Sequence, residues 1–264
     1  MTRLNVMNKL KELYAYREMV YSLVRRELRG RYKGSVLGFL WTFINPLLQL
    51  IVYTMVFSVI MRNGIEKYYI FLFVALVPWT LISAALVSGS TCIVGSPDMV
   101  KKIYFPREVL PLANTITNFV NMALCFLVVF AVLIISGFGV NIKALLYMPI
   151  IMLVEFILAL GISLLTSALT VYMRDVAYIL SIVAMAWQFL TPIMYSSDMV
   201  PVELLPIFNM NPMTPVIEAY RAILYYKEIP DLATLTSATL FGIAILVIGE
   251  FSFAKLQKGF CEEL

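Results

Sequence analysis

The chain has 264 residues, of which 61% are hydrophobic and 14% are charged, and its formal net charge is +4. Soluble domains average about 45 to 50% apolar and about 25% charged residues, so the composition excludes an ordinary soluble domain. It predicts an all-α integral membrane protein, because backbone groups inside a bilayer must find their hydrogen-bond partners within the same segment. The absence of histidine excludes Ser-His-Asp and Cys-His catalysis and a histidine-based zinc site.

Six apolar stretches predict six transmembrane helices. Four of them contain no Lys, Arg, Asp or Glu over at least 20 residues, and the other two are interrupted only by Glu155 and Glu250. A bilayer core of about 30 Å needs roughly 20 helical residues, so each stretch is long enough to cross. The chain therefore divides into an N-terminal segment, residues 1–33, and a single transmembrane domain, residues 34–264. The predicted spans cover residues 36–61, 68–94, 112–136, 145–171, 176–194 and 232–254.

The positions of the lysines and arginines predict that both termini are cytoplasmic. Six spans return the chain to the side on which it begins, and 15 of its 20 basic residues fall in the segments on that side. Basic residues concentrate in the cytoplasmic loops of membrane proteins. Attraction to anionic lipid headgroups accounts for the positive net charge, so no nucleic-acid partner is predicted.

The segment before the first span predicts an amphipathic helix on the inner membrane surface. In residues 10–28, apolar side chains recur largely at three- and four-residue steps among lysines and arginines. A soluble basic tail is the alternative interpretation.

The cytoplasmic connection between spans two and three, residues 95–111, is punctuated by three prolines. Within it, residues 98–104 predict about two helical turns, with Asp98 near the N-terminal end of the helix dipole. A docking surface and an ordinary surface loop both fit this composition.

The outer connection between spans five and six, residues 195–231, contains apolar runs too short to span a membrane. Such runs favour re-entrant or interfacial structure. We expect two short helices that dip into the outer leaflet and carry three tyrosines at headgroup level, namely Tyr220, Tyr225 and Tyr226.

Glu155 lies inside the fourth predicted span. A charge there costs about 2.5 to 3.5 kcal/mol on insertion scales, so the side chain should face a partner, water or the bundle interior. Proton or substrate handling and simple packing are both open as its role. The same span carries Ala159, Ser163 and Ser167 at four-residue spacing, a small-residue stripe that predicts close helix contact.

No phosphate-binding loop is found in the sequence. The nearest segment, residues 30–35, lacks both the spacing and the Lys-Ser/Thr ending of a Walker A loop. The chain is therefore predicted to be no enzyme and to bind no cofactor or metal itself.

Three passages together resemble the permease subunits of ABC-2 type transporters that export lipid-linked polysaccharide, such as O-antigen, capsule or teichoic acid. They are residues 26–46, residues 101–111, and residues 172–175 followed by 191–195 and 211–216. The resemblance implies a homodimer of six-helix subunits in the bacterial cytoplasmic membrane. It also implies two copies of a separate cytoplasmic ATPase subunit, which uses ATP and Mg, and a lipid-linked glycan as substrate.

Carried over position by position, the resemblance also implies roles for particular residues. Residues 10–28 are similar to the interface helix of the family, and the short outer helices with their three tyrosines are similar to its gate over the exit. The resemblance also implies a contact with the ATPase subunit. For Arg174 and Asp175, which belong to this contact, an ion pair at a helix end is an equally good explanation. That implied contact consists of Asp98, Lys101, Lys102, Tyr104, Arg107, Arg174 and Asp175.

A long glycan is too polar to cross hydrocarbon, which suggests a channel at the dimer interface with a polar and aromatic lining. Its candidate residues are Tyr32, Trp41, Tyr53, Trp79, Glu155 and Tyr195. Three rival hypotheses are an ABC permease for a drug or other small lipophile, an ion-coupled carrier that uses Glu155, and a structural membrane protein.

Overall fold

The computed structural model describes residues 6–30, 34–60 and 64–264, and within these ranges every regular element is helical. The all-α prediction is confirmed. A π-helical segment, Met55–Ile60, extends α3, and another, Ala222–Tyr226, extends α11. The helices are α1 (Val6–Ala15), α2 (Arg17–Gly30), α3 (Trp41–Thr54), α4 (Tyr68–Thr91), α5 (Pro97–Lys102), α6 (Val109–Ile135), α7 (Ile142–Leu145), α8 (Met148–Tyr172), α9 (Asp175–Leu190), α10 (Leu205–Asn209), α11 (Met213–Arg221), α12 (Leu232–Leu256) and α13 (Phe260–Glu263).

Five helical stretches in the described ranges are long and apolar enough to cross a membrane. They match five of the six predicted spans and are Gly38–Ile60, Tyr68–Thr91, Val109–Ile135, Ile142–Tyr172 and Leu232–Glu263.

The remaining predicted span, residues 176–194, corresponds to the shorter helix α9. This helix has 16 residues, which gives it a length of about 24 Å. It ends at Leu190 because the residue before a proline is pushed out of helical geometry. Thr191, which precedes Pro192, accordingly has φ −99° and ψ 139°. The proline thus ends the helix four residues before the predicted boundary.

The predicted N-terminal amphipathic helix is divided into two helices, α1 and α2, at Tyr16. In α2 the apolar side chains of Val20 and Leu23 are buried, whereas Arg25 and Arg29 are exposed. The buried side chains belong to an apolar cluster that includes residues at the start of α6. The amphipathic pattern therefore packs α2 against the bundle.

Helix α4 lies at the centre of the bundle. Nearly every side chain from Tyr68 to Leu86 is buried, on all sides of the helix, and α4 contacts α6, α8 and α9. A helix that is apolar all round is expected in such a position.

Helices α8 and α12 approach each other through glycine. A Cβ atom on Gly249 would lie 2.3 Å from the carbonyl oxygen of Gly161, and one on Gly161 would lie 2.6 Å from Leu246 Cα. Ser163 of the small-residue stripe meets α4, since a Cβ on Gly89 would lie 2.6 Å from Ser163 Oγ. Small residues thus allow α8 to pack closely against both α4 and α12.

The two ends of the bundle are joined by different contacts. At one end, called here the terminal end, Tyr16 Oη donates to the carbonyl of Tyr104 at 3.5 Å, and Tyr172 Oη donates to the carbonyl of Leu256 at 2.7 Å. The terminal end therefore joins the junction of α1 and α2 to the segment after α5, and α13 contacts α5 at the same end. At the opposite end, Tyr225 Oη donates to the carbonyl of Glu66 at 2.6 Å.

Candidate functional site

Helix α5 and the residues after it form an exposed, charged surface at the terminal end. Asp98 lies in the first turn of α5 and Lys101 and Lys102 in its last turn, which complements the helix dipole. Asp98 Oδ1 and Lys102 Nζ are 2.8 Å apart, and both side chains are exposed. Val100 is buried beneath them, whereas Tyr104 is 88% exposed. Helix α5 is therefore anchored by one face and presents the other.

The other three predicted ATPase-contact residues differ from one another in their surroundings. The Arg107 guanidinium donates to the carbonyl of Gln257, and its Nη2 lies 2.9 Å from Cys261 Sγ. Arg174 and Asp175 are exposed at the start of α9. No ion pair joins these two residues, although the structure describes both. Arg107 thus binds the chain's own C-terminal segment, while the other two face outward.

An ionic cluster that the sequence analysis missed attaches α1 to the bundle. Lys9 Nζ lies 2.8 Å from Glu108 Oε1 and also pairs with Glu250, and Gln257 Nε2 donates to Glu108 Oε1 at 3.1 Å. Burial lowers the pKa of Lys9, but the hydrogen bonds and charges of the two carboxylates outweigh it and raise this pKa above its ordinary value. No spacing in the sequence indicates the cluster, because its members come from distant segments.

Glu155 has a buried partner, as its position inside a span predicts. Tyr220 Oη donates to Glu155 Oε2 at 2.7 Å, and both side chains are 0% exposed. The Tyr220 ring also stacks on Phe126, with 5.2 Å between the ring centroids. Glu155 Oε1 has no hydrogen-bond partner in the described part of the chain.

Tyr220 is therefore buried inside the bundle, and its position at headgroup level stays a prediction. Helix α11 turns into the bundle, where it contacts α4, α8 and α12, and it places Tyr220 against Glu155. The other two predicted gate tyrosines lie nearer the surface. Tyr225 donates to the carbonyl of Glu66, and Tyr226 is 51% exposed.

Asn211 joins two parts of the third passage that carries the family resemblance, residues 191–195 and 211–216. It accepts a hydrogen bond from Trp187 Nε1 at 2.8 Å and donates to Thr191 Oγ1 at 2.9 Å. Its Oδ1 also accepts from the backbone N–H of Met213 at 2.9 Å. This one side chain thus connects the end of α9 to the start of α11. The Asn-Pro pair in the sequence is a signal of this role.

Arg221 is a buried cation that the sequence analysis counted only among the residues of an outer connection. Its guanidinium donates to the carbonyls of Ile193 at 2.7 Å and Tyr195 at 3.2 Å. The guanidinium carbon lies 3.6 Å from the centroid of the Phe71 ring. Arg221 therefore fixes the irregular segment that follows α9, where backbone carbonyls lack helical donors.

The remaining candidates for the substrate path do not share one surface within a single chain. Trp79 is buried, Tyr53 and Tyr195 are half-buried, and Trp41 is exposed at the start of α3. Tyr32 lies outside the described residues. A path between two copies of the chain stays a prediction.

These features define a multi-pass α-helical membrane protein with an exposed, charged helix at the terminal end. The family described as ABC-2 type transporter matches residues 18–225, which is most of the chain, and the chain belongs to this family. It is accordingly a protein of the bacterial cytoplasmic membrane.

Similar proteins are named as permeases or transport proteins. The chain is 32% identical over 257 residues to the O-antigen export system permease protein RfbA of Myxococcus xanthus, covering 97% of this chain and 98% of that protein. It is 30% identical over 247 residues to the protein of the same name from Klebsiella pneumoniae, covering 94% and 95%. It is also 24% identical over 236 residues to the polysialic acid transport protein KpsM of Escherichia coli, covering 87% and 90%.

Proposed function

We propose that this chain is the permease subunit of an ATP-driven exporter that moves a lipid-linked polysaccharide outward across the cytoplasmic membrane. The observation that carries the proposal is similarity along nearly the whole chain to relatives named as O-antigen export permeases. Further relatives are named for polysialic acid transport and capsule polysaccharide export. These names favour a polysaccharide over a drug or other small lipophile.

In this proposal six helices cross the membrane, the five long spans and α9, and both termini are cytoplasmic. Helices α1, α2, α5 and α13 lie at one end of the bundle. This supports an even number of membrane crossings between α2 and α5 and between α5 and α13. Segments at that end also hold most of the basic residues, as expected on the cytoplasmic side. The short length of α9 is accommodated by local thinning of the bilayer.

Helices α10 and α11 form the re-entrant outer segment and the gate over the exit. The inward course of α11 supports this, because Tyr220 reaches a carboxylate that lies inside a spanning helix. Tyr225 and Tyr226 continue from α11 toward the opposite end and complete the gate.

The exporter contains two copies of the chain, and the glycan passes between them along the predicted path residues. Helices α3 and α9 support this arrangement because each exposes an apolar face along much of its length, and in α9 only Ala184 is buried. The exposed side chains include Leu48, Ile51 and Val52 of α3, Met55 of its π-helical extension, and Ile179, Ile182, Met185 and Phe189 of α9.

Two copies of a separate ATPase subunit supply the energy, and ATP and Mg bind to that subunit. It docks on α5 together with Arg174 and Asp175, which are exposed on the proposed cytoplasmic side. The charged side chains of α5 offer oriented contacts to such a partner, and they stand on a helix fixed by the buried Val100.

Charge reversal on α5 tests this docking surface. The double variant Lys101→Glu, Lys102→Glu should reduce copurification of the ATPase subunit by about tenfold or more, because like charges brought together at an interface cost several kcal/mol. Both side chains are exposed, so the packing of the helices should be unaffected. Lys143→Glu, an exposed reversal in α7, is the control and should copurify normally. Unchanged copurification and export in the double variant would contradict the assignment.

Depletion of the chain in its source bacterium tests the proposed function itself. Export failure should leave a lipid-linked glycan inside the cell while the same polymer declines at the surface, and re-expression of the wild-type chain should reverse both changes. Fractionated cells are analysed for polymer bound to lipid. A surface polymer that persists, with no internal accumulation, would contradict the proposal.

A further inference from the structure

A polar cavity of about 490 Å³ opens between α3, α4 and α6. Its volume falls within the range of about 300 to 1,000 Å³ that small-ligand pockets occupy. Among the described lining residues none is charged, and seven of the ten carry an amide, a hydroxyl or an indole. The lining consists of Ser35, Trp41, Thr42, Asn45, Pro46, Thr80, Ala84, Asn118, Asn121 and Cys125.

Asn121 is the residue that most needs a ligand in this cavity. It lies near the middle of the 27-residue helix α6, deep within the proposed membrane domain. Neither its Oδ1 nor its Nδ2 has a hydrogen-bond partner in the described protein, although both atoms are buried. An amide left unpaired away from water costs about 1 to 3 kcal/mol by protein mutational data. A polar group from outside the chain would remove that cost once the Asn121 side chain turns its amide toward the cavity.

Pro46 breaks the backbone hydrogen-bond ladder of α3 at the wall of the same cavity. Proline lacks the N–H that a helix residue donates to the carbonyl four positions earlier, which here belongs to Thr42. The thiol of Cys125 donates to that carbonyl oxygen instead, at 3.3 Å. The carbonyl of Thr42 thus keeps a hydrogen-bond donor, from a side chain that itself lines the cavity.

The far wall of the cavity is held in place by a hydrogen-bonded group. Asn118 Nδ2 donates to Asn114 Oδ1 at 3.0 Å and to Ser88 Oγ at 3.3 Å. Ser88 Oγ in turn donates to Asn114 Oδ1 at 3.2 Å. These bonds tie α6 to α4, so the polar wall is positioned before any ligand arrives.

The mixture of donors and acceptors matches sugar hydroxyls, each of which both donates and accepts. Side-chain amides offer the two functions side by side, and the exposed Trp41 offers a flat apolar surface for the face of a sugar ring. We propose that this cavity is a subsite of the transport path that binds hydroxyl groups of the passing polysaccharide. The inference rests on the proposed function and extends it to named residues within one chain.

Export rates of two cavity variants test the subsite. Asn121→Leu removes the amide at similar volume, and Asn45→Leu changes an exposed residue that the fold does not need. At equal amounts in the membrane, each should slow the appearance of surface polymer by about fivefold, the effect of one lost hydrogen bond. Thr117→Val is the matched control in α6, since Thr117 bonds only to its own helix and does not line the cavity.

The outcomes separate the subsite from the proposed function. If the wild-type chain does not restore surface polymer in the depleted strain, the proposed function is overturned. Restored wild-type export with both cavity variants as fast as Thr117→Val would overturn the subsite alone. Chemical cross-linking of the two copies is measured as well. If Asn45→Leu abolished the cross-linked dimer, the subsite would also be overturned, because the cavity would then belong to the contact between copies.

The rate of thiol labelling gives a second measurement. If the cavity had only a structural role, the presence of the polymer would not change this rate. Asn45→Cys is made with the three native cysteines replaced by serine, and inside-out vesicles are treated with a water-soluble methanethiosulfonate. Vesicles from cells that synthesise the polymer should label several-fold more slowly than vesicles from cells that cannot. Equal labelling rates in the two preparations would overturn the inference.

Discussion

Gly249→Ala is expected to lower the stability of the transmembrane domain more than any exposed substitution. The added methyl carbon would lie 2.3 Å from the carbonyl oxygen of Gly161, and no side-chain rotation moves a backbone atom away. Helices α8 and α12 must therefore separate. Overpacking of this kind costs about 1 to 3 kcal/mol, occasionally more, and should lower the thermal midpoint by about 5 to 10 °C.

Thermal unfolding of the purified chain in detergent measures this change. Gly30→Ala is the control, because no atom lies within 4 Å of the position a Cβ would take there. Gly242→Ala should be intermediate, since its nearest neighbour, the carbonyl oxygen of Val154, would lie 3.3 Å away. Equal midpoints for wild type and Gly249→Ala would mean that α8 and α12 do not meet as described.

Arg221→Met is expected to prevent accumulation of folded protein. Methionine fills a similar volume but leaves the carbonyls of Ile193 and Tyr195 without their donors and removes the cation over Phe71. Buried ion pairs replaced by apolar residues are sometimes tolerated, but here the partners are backbone groups that no substitution removes. Each buried acceptor left unsatisfied costs about 1 to 3 kcal/mol.

The amount of monodisperse protein recovered from membranes measures the effect of Arg221→Met. Arg25→Met, at an exposed position of α2, is the control and should be recovered at the wild-type level. Wild-type recovery of Arg221→Met with an unchanged thermal midpoint would show that Arg221 does not hold the segment after α9.

Most of the helical architecture follows from the distribution of charge along the chain. Long stretches with no charged residue, or with a single glutamate, located four spans within three residues of their observed bounds, because a charge inside hydrocarbon is costly. The fifth, residues 232–254, begins where the structure begins it, but the helical stretch continues to Glu263. The end of α9 was misplaced because apolar composition continues past Leu190, whereas the steric effect of Pro192 ends the helix there. Local backbone geometry prevailed over hydropathy at that point.

The polar contacts of the interior were less predictable. The sequence predicts that Glu155 faces a partner, water or the bundle interior, but the choice of Tyr220 as its partner depends on the inward turn of α11. The ionic cluster of Lys9, Glu108 and Glu250 depends on helix packing that sequence spacing does not reveal. Asn114, Asn118 and Asn121 recur on one side of α6 and were a usable signal, since polar side chains inside a span mark functional or packing sites.

The most direct test of the central claim is transport into inside-out membrane vesicles that contain this chain and its ATPase partner. ATP added outside should carry the lipid-linked glycan from the exposed face into the lumen. There it becomes protected from periodate, a reagent that the membrane excludes. Vesicles without the chain, or without ATP, should leave the glycan unprotected. Protection that is equal in all three preparations would contradict the account.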